Sequence, residues 1–167
     1  MYPGEEMSGF STDRNNRPTI LVVEDTPTLL ELLTVVLERA HFVVLPARNG
    51  LDALKFSEDH EGHIDVLLSD LRLPGLSGSD LASSLKRSRP DIQVILMSAF
   101  SSAHAFAFEN RWAYLQKPFT STQVLTAIND ALAQSSSNLP KHHEKGMRGE
   151  TEGKTNVGDW LMDTHDD

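Results

Sequence analysis

Two apolar runs that end in acidic residues constrain this chain more than any other feature of its sequence. The first run, residues 20–23, is followed by Glu24 and Asp25. The second, residues 66–69, is followed by Asp70. Short, continuously apolar runs are typical of strands buried on both faces, as in parallel sheets, and ligands bind such sheets at the carboxyl ends of the strands. Three carboxylates at one edge repel each other unless a cation lies between them, so the sequence predicts a hard-metal site there.

The middle of the chain, residues 19–134, alternates between strand and helix patterns. Strands are predicted at residues 20–23, 42–45, 64–69, 92–97 and 113–116, and helices from residue 26, around 51–56, at 80–88, at 103–110 and from residue 120. Alternation with short connections predicts a parallel sheet covered on both faces, with right-handed crossovers. We therefore expect an α/β fold: a flavodoxin-like (CheY-like) doubly wound five-stranded parallel sheet in the order 2-1-3-4-5.

The first predicted helix has both a start signal and an apolar face. Thr26 is expected to be its N-cap and Pro27 its first residue. Apolar residues then follow at helical spacing and predict the buried face: Leu29, Leu32, Leu33, Val36 and Leu37. At the other end of the chain, Thr120 and Gln123 have the spacing of a capping box.

Composition excludes several classes of protein. The 167 residues suffice for one domain with a full core. Cysteine is absent, which excludes disulfides, thiolate zinc sites and cysteine nucleophiles and fits a reducing compartment. The net charge of −9 argues against direct binding of nucleic acid. Since no apolar stretch approaches the roughly 20 residues of a membrane helix and the amino terminus lacks a signal-peptide pattern, we expect a cytoplasmic protein without membrane insertion.

Both ends of the chain are polar. We interpret residues 1–18 as a flexible arm and residues 135–167 as a disordered tail, because both are poor in aliphatic residues. One small apolar patch, Trp160-Leu161-Met162, interrupts the tail and could dock on a folded surface.

Two further polar residues follow predicted strands. Ser98 comes after the fourth strand and Lys117 after the fifth, so both are expected at the same edge as the carboxylates. Oxygen ligands select Mg²⁺ or Mn²⁺ over zinc. A carboxylate acceptor, a divalent ion, a lysine and a hydroxyl are chemically sufficient for phosphoryl transfer, which needs mostly positioning and charge neutralisation.

Four segments in order, residues 20–25, 70–78, 97–99 and 114–119, resemble the receiver domain of two-component response regulators. The resemblance covers about residues 18–134 and is closest to the stand-alone, single-domain type. It implies that Asp70 accepts a phosphoryl group from the phosphohistidine of a sensor histidine kinase or histidine phosphotransfer protein. Lys117 then pairs first with the Asp70 carboxylate and later with the phosphoryl group, and the Lys117–Pro118 bond is cis.

The resemblance also implies a metal shell and a switch. Asp25 and Asp70 bind Mg²⁺ directly, Glu24 acts largely through water, and the backbone carbonyl of Arg72 completes the shell. The switch consists of the Ser98 hydroxyl, which moves onto the phosphoryl oxygens, and Tyr114, which swings inward behind it. The output is a changed protein-interaction surface for an unknown downstream protein, or relay of the phosphoryl group to another histidine.

The chain departs from the family pattern between Ser98 and Lys117, an interval shorter than expected and rich in aromatic residues. The sequence 111–113 replaces the usual Gly-Ala before the switch aromatic. One interpretation is a core repacked over a truncated helix; the other is an exposed partner or homodimer surface between Phe100 and Tyr114.

Two neighbours of the site motivate a hypothesis about phosphoryl lifetime. Arg72 lies two residues after Asp70, and Phe100 lies two residues after Ser98. Both could shield a phosphoryl group from water, which predicts slow autodephosphorylation. The alternative is that Arg72 simply faces solvent.

Three other functions compete with that of a phosphoacceptor module that is not an enzyme. An aspartate-nucleophile phosphohydrolase of the haloacid-dehalogenase type needs a second aspartate two residues after the nucleophile, where this chain has Arg72. A dinucleotide-binding protein needs a glycine-rich turn after the first strand, and residues 24–27 provide none. A scaffold that works without phosphorylation would not require three acids and a lysine at one edge of the sheet, so their presence argues against it.

Overall fold

A computed structural model describes residues 17–137 of the chain. The predicted arm and tail, including the Trp160 patch, therefore lie almost entirely outside the described residues. The elements are β1 (Thr19–Val23), α1 (Pro27–Arg39), β2 (Val43–Ala47), α2 (Gly50–Asp59), β3 (Val66–Asp70), α3 (Gly78–Ser88), β4 (Gln93–Ser98), α4 (Ser102–Glu109), β5 (Ala113–Gln116) and α5 (Ser121–Ser137). Within these residues no helix combines the length and apolar character needed to cross a bilayer.

The five strands form one parallel sheet in the order β2-β1-β3-β4-β5, which confirms the predicted fold class. The register aligns the carboxyl ends of the strands. Val23 of β1 pairs with Ser69 of β3, and Asp70 at the end of β3 pairs with Met97 of β4. The residues that follow β1 therefore lie beside Asp70.

The core consists of two layers, because alternate side chains of each strand point to opposite faces of the sheet. One layer lies under α1 and α5 and contains Ile20, Val22 and Leu68. The other lies under α2 and α3 and contains Leu21, Val23 and Leu67. The central strands are buried on both faces, which is the physical reason for their unbroken apolar runs.

The buried face of α1 differs from the predicted one. Leu30, Leu33 and Leu37 are buried, whereas Leu32 is 56% exposed. Leucines at 29, 30, 32, 33 and 37 allow two overlapping stripes at helical spacing, and packing of α1 against the sheet and α5 selects the stripe through Leu30.

Helix caps agree only partly with the sequence. Thr26 occupies the N-cap of α1, but its side chain makes no capping hydrogen bond, contrary to expectation. The backbone N of Thr26 instead donates to Glu24 Oε1 over 3.1 Å. The capping box at α5 is confirmed: Thr120 N donates to Gln123 Oε1 at 2.8 Å, and Gln123 N donates to Thr120 Oγ1 at 3.2 Å. The segment after β4, which was expected to form a helix at residues 103–110, is helical over Ser102–Glu109.

Candidate functional site

Three carboxylates meet at the carboxyl edge of the sheet. Glu24 is completely buried, Asp70 is 9% exposed, and Asp25 is exposed. One carboxylate oxygen from each lies within 4.8 Å of the others. Strand order explains the cluster, since β1 and β3 are adjacent and both end at this point.

Lys117 places a positive charge inside this cluster. Its Nζ donates to Glu24 Oε2 and to Asp70 Oδ2, each over 2.7 Å. Burial, the largest single influence, lowers the pKa of Lys117, but the hydrogen bonds to Asp70 and Glu24 together with their charges outweigh it, so the pKa lies above its usual 10.5. The amine is therefore charged at neutral pH, and it compensates part of the negative charge of the cluster.

The backbone around Lys117 fixes its direction. The Lys117 N donates to the carbonyl of Ser98 over 2.9 Å, which continues the pairing of β5 with β4 beyond Gln116. The Lys117–Pro118 bond is cis, as the resemblance implied. The Lys117 side chain extends from the end of β5 to the ends of β1 and β3, where it contacts Asp70 and Glu24.

Backbone amides hold two of the carboxylates in place. Arg72 N donates to Asp70 Oδ1 over 2.9 Å, and Thr26 N donates to Glu24 Oε1 over 3.1 Å. Each carboxyl group thus receives one backbone and one lysine hydrogen bond. Sequence reasoning missed these two donors because backbone amides leave no signature in residue type.

Gly78 is a second feature that the sequence reading did not assign to the site. A Cβ at this position would lie only 2.0 Å from the carbonyl oxygen of Asp70. The Gly78 N also donates to the Leu71 carbonyl over 3.0 Å. The start of α3 therefore rests directly on the backbone of Asp70, an approach that only glycine permits. The available signal was a glycine at a helix start eight residues after an acid.

Ser98 and Tyr114 lie at the neighbouring strand ends. Ser98 is 2% exposed, and its Oγ accepts from Phe100 N over 3.1 Å. The Tyr114 hydroxyl donates to the carbonyls of Ser98 and Phe100 at 3.1 and 2.9 Å. The ring of His104 packs edge-on against Tyr114, with centroids 5.6 Å apart. The turn between β4 and α4 is therefore tied to β5 by one phenol.

Arg72 and Phe100, named separately from the sequence, contact each other. The Arg72 guanidinium carbon lies 3.9 Å from the centroid of the Phe100 ring, in a cation–π geometry. The expectation that Arg72 only faces solvent is thus incomplete: Arg72 is exposed, but its guanidinium is stacked. The pair joins the loops after β3 and β4 beside Asp70.

The remaining aromatics of this region divide between packing and exposure. Trp112 packs edge-on against Phe106, with ring centroids 5.8 Å apart, and contributes to the core layer under α2 and α3. Phe108 is 78% exposed on the short helix α4. Some aromatics of this segment thus pack on the core and others face outward, and a partner or homodimer surface there stays a prediction.

The donor set fits a hard divalent cation. Glu24, Asp25 and Asp70 offer only oxygen ligands, and oxygen ligands are what Mg²⁺ and Mn²⁺ prefer. Lys117 balances two of the acids but does not contact Asp25 in the described structure. One carboxylate and the outward-facing side of the cluster are thus free for a cation.

Comparisons with known proteins point in one direction. A family model described as the response regulator receiver domain matches residues 20–129. The transcriptional regulatory protein GlrR of Escherichia coli K12 is 31% identical over 119 residues, which are 70% of this chain and 26% of GlrR. The sensor kinase CckA of Brucella abortus is 28% identical over 125 residues, or 73% of this chain and 13% of CckA. The chain thus spans about an eighth to a quarter of the length of these curated relatives.

Solved structures agree with the sequence relatives. A response regulator receiver domain protein from Clostridium thermocellum is similar with a TM-score of 0.64 and 31% identity, covering 72% of this chain and 98% of that one. The response regulator TrrA from Thermotoga maritima, solved in complex with Mg²⁺ and BeF, has a TM-score of 0.61 and 29% identity, covering 69% and 99%. The sheet order, the acid and lysine cluster and the matched model agree, and this chain belongs to the response regulator receiver domain family.

Proposed function

We propose that Asp70 is the phosphoacceptor of this domain. The observation that carries the proposal is the contact of its carboxylate with Lys117 inside a cluster of acids at the sheet edge. A carboxylate oxygen of Asp70 attacks phosphorus, the bond from phosphorus to the donor nitrogen breaks, and the histidine leaves as a neutral imidazole after taking up a proton. Arg72 N, which donates to Asp70 Oδ1, orients the nucleophile for this step.

Glu24, Asp25, Asp70 and the backbone carbonyl of Arg72 are the proposed holders of Mg²⁺ or Mn²⁺. A divalent ion at this place neutralises the charge of the transferring phosphoryl group. The supporting observations are the convergent oxygen ligands and the Mg²⁺ complex of the similar protein TrrA. Lys117 already balances Glu24 and Asp70 and can shift toward a phosphoryl oxygen on Asp70 without leaving the cluster.

Ser98 and Tyr114 are the proposed switch. The Ser98 hydroxyl is buried at the adjacent strand end, and in the described structure it binds a local backbone amide. The Ser98 hydroxyl can donate its hydrogen to a phosphoryl oxygen on Asp70, and rotation of the side chain toward that oxygen weakens its contact with Phe100 N and releases the turn after β4. Tyr114, whose hydroxyl binds two carbonyls of the same turn, then loses its anchor and turns inward.

The wider role follows from the same chemistry. We infer that residues 19–134 form a receiver in the cytoplasm that takes its phosphoryl group from a sensor histidine kinase or a histidine phosphotransfer protein. It acts as a signalling module and not as a turnover enzyme, because Arg72 stands where a phosphohydrolase would carry its general acid. The exposed Phe100 and Phe108 support a partner or homodimer surface in the 100–114 region.

Intact mass measurement tests the proposal directly. The protein is incubated with Mg²⁺ and acetyl phosphate, and we expect one added phosphoryl group. The variant Asp70→Asn should show none, whereas the matched control Asp91→Asn, an exposed acid at the opposite edge of the sheet, should react normally. Absence of any adduct on the unmodified chain, or an adduct that persists in Asp70→Asn, contradicts the assignment.

A further inference from the structure

An open groove lies between the first half of α1 and the end of β2, and the phosphoryl chemistry does not use it. Its volume is about 390 Å³, and its apolar walls are Pro27, Leu30, Val35 and Pro46. Arg48 stands at one side. The groove is at the small end of the range of about 300–1,000 Å³ for ligand sites, which suits one large side chain and its neighbours.

The polar groups of the groove are suited to a tryptophan. Within the described part of the chain, the Arg48 guanidinium has no hydrogen-bond or ion-pair partner, so it can stack on a ring. Glu31 and Thr34 complete the lining and offer oxygen acceptors. Tryptophan combines a large apolar face with a single N–H donor, and it is commonly found where one side of a site is apolar and the other polar.

We propose that Trp160, with Leu161 and Met162, docks in this groove. These residues form the one run of three apolar side chains after Ser137. Asp159 and Asp163 flank the run, and either can form an ion pair with Arg48, the one cation among the described residues that line the groove, while Glu31 is the one acid among them. An indole would fit between the proline and aliphatic walls, with one face toward Arg48 and its N–H toward the side of Glu31 and Thr34.

The length of the connecting chain permits this contact. Helix α5 ends at Ser137 beside α1, because the two helices pack together, and it ends at the edge of the sheet opposite the acid cluster. The groove is therefore about one helix length away, or about 20 Å for the 13 residues of α1. Twenty-two residues separate Ser137 from Trp160. Since each residue spans at most about 3.3–3.6 Å when fully extended, 22 residues are enough to bridge that distance.

NMR of the full ¹⁵N-labelled chain tests the docking independently of any phosphorylation. The indole N–H signal of Trp160 is assigned by its loss in Trp160→Phe. We expect Trp160→Ala to shift the amide signals of Val35 and Arg48, and Val35→Glu to move the Trp160 indole signal to the position of a solvent-exposed tryptophan. Phe108→Glu, which alters the other exposed apolar surface, should leave the indole signal in place.

Three results would overturn the proposal. The first is a spectrum of Trp160→Ala in which the amide signals of Val35 and Arg48 do not shift. This variant changes none of the residues 17–137. The second is movement of the indole signal in Phe108→Glu instead of Val35→Glu, which places the segment on α4. The third is a shift that disappears on dilution, which identifies the occupant as a second copy of the chain.

Discussion

The contact between Arg72 and Phe100 predicts that the two residues protect phosphorylated Asp70 as a unit. The guanidinium carbon lies 3.9 Å from the ring centroid, and Phe100 is 48% exposed. A cation–π pair at a half-exposed position contributes about 1 kcal/mol. If that energy holds the pair over the site, its loss should accelerate hydrolysis by about fivefold, since about 1.4 kcal/mol corresponds to a factor of ten.

The assay follows the decay of the phosphorylated protein by intact mass after acetyl phosphate is removed. Arg72→Ala and Phe100→Ala should each shorten the half-life, and the double variant should decay no faster than the faster single variant, because either change already breaks the pair. Arg72→Lys, which keeps the charge and can still contact the ring, should retain part of the effect. Phe108→Ala controls for loss of an exposed aromatic elsewhere.

Two outcomes would refute the reasoning. Unchanged half-lives in both single variants mean that neither residue shields the phosphoryl group. Effects that add in the double variant mean that each residue acts separately and that the stacking is irrelevant to hydrolysis.

Three further predictions concern stability and are measured by chemical denaturation. Gly78→Ala should lower the free energy of unfolding by about 1–3 kcal/mol, because the new Cβ overlaps the Asp70 carbonyl, whereas Ser83→Ala on the exposed side of α3 should change it little. Lys117→Ala should lower the free energy of unfolding by on the order of 3 kcal/mol without metal, because it leaves buried acids uncompensated. Mg²⁺ should restore part of this loss, and equal losses with and without Mg²⁺ would contradict a metal at this cluster. Leu30→Ala should lower the free energy of unfolding by about 2–5 kcal/mol and Leu32→Ala by less than about 0.5 kcal/mol. A larger loss in Leu32→Ala than in Leu30→Ala would instead support the buried helix face expected from the sequence.

The fold was predictable because its signals are strong and redundant. Strands such as β3 are buried along their whole length because both faces are covered, and the acids at or directly after their ends mark where the strands stop. The alternation of strands and helices limits the sheet to a few doubly wound orders, and 2-1-3-4-5 is one of them. The positions of Glu24, Asp25, Asp70 and Lys117 at one edge are a consequence of that order.

What the sequence could not supply depends on packing or on the backbone. The choice between two leucine stripes in α1 is made by the sheet and α5, and no local pattern distinguishes Leu30 from Leu32. The donors Thr26 N and Arg72 N carry no residue signature. The close approach of Gly78 to Asp70 and the stacking of Arg72 on Phe100 join segments whose distance apart is set by the tertiary structure.

The register of β5 against β4 determines whether Lys117 reaches the acid cluster. Ser98 pairs with Gln116, and this pairing alone determines that the next residue, Lys117, extends into the acid cluster. A slip of one residue would send every side chain of β5 to the opposite face of the sheet. A receiver of this kind can therefore lose phosphoryl transfer although every reactive residue is still present. One residue inserted within 113–116 would move Lys117 out of contact with Asp70. The same insertion before Trp112 would only lengthen a loop.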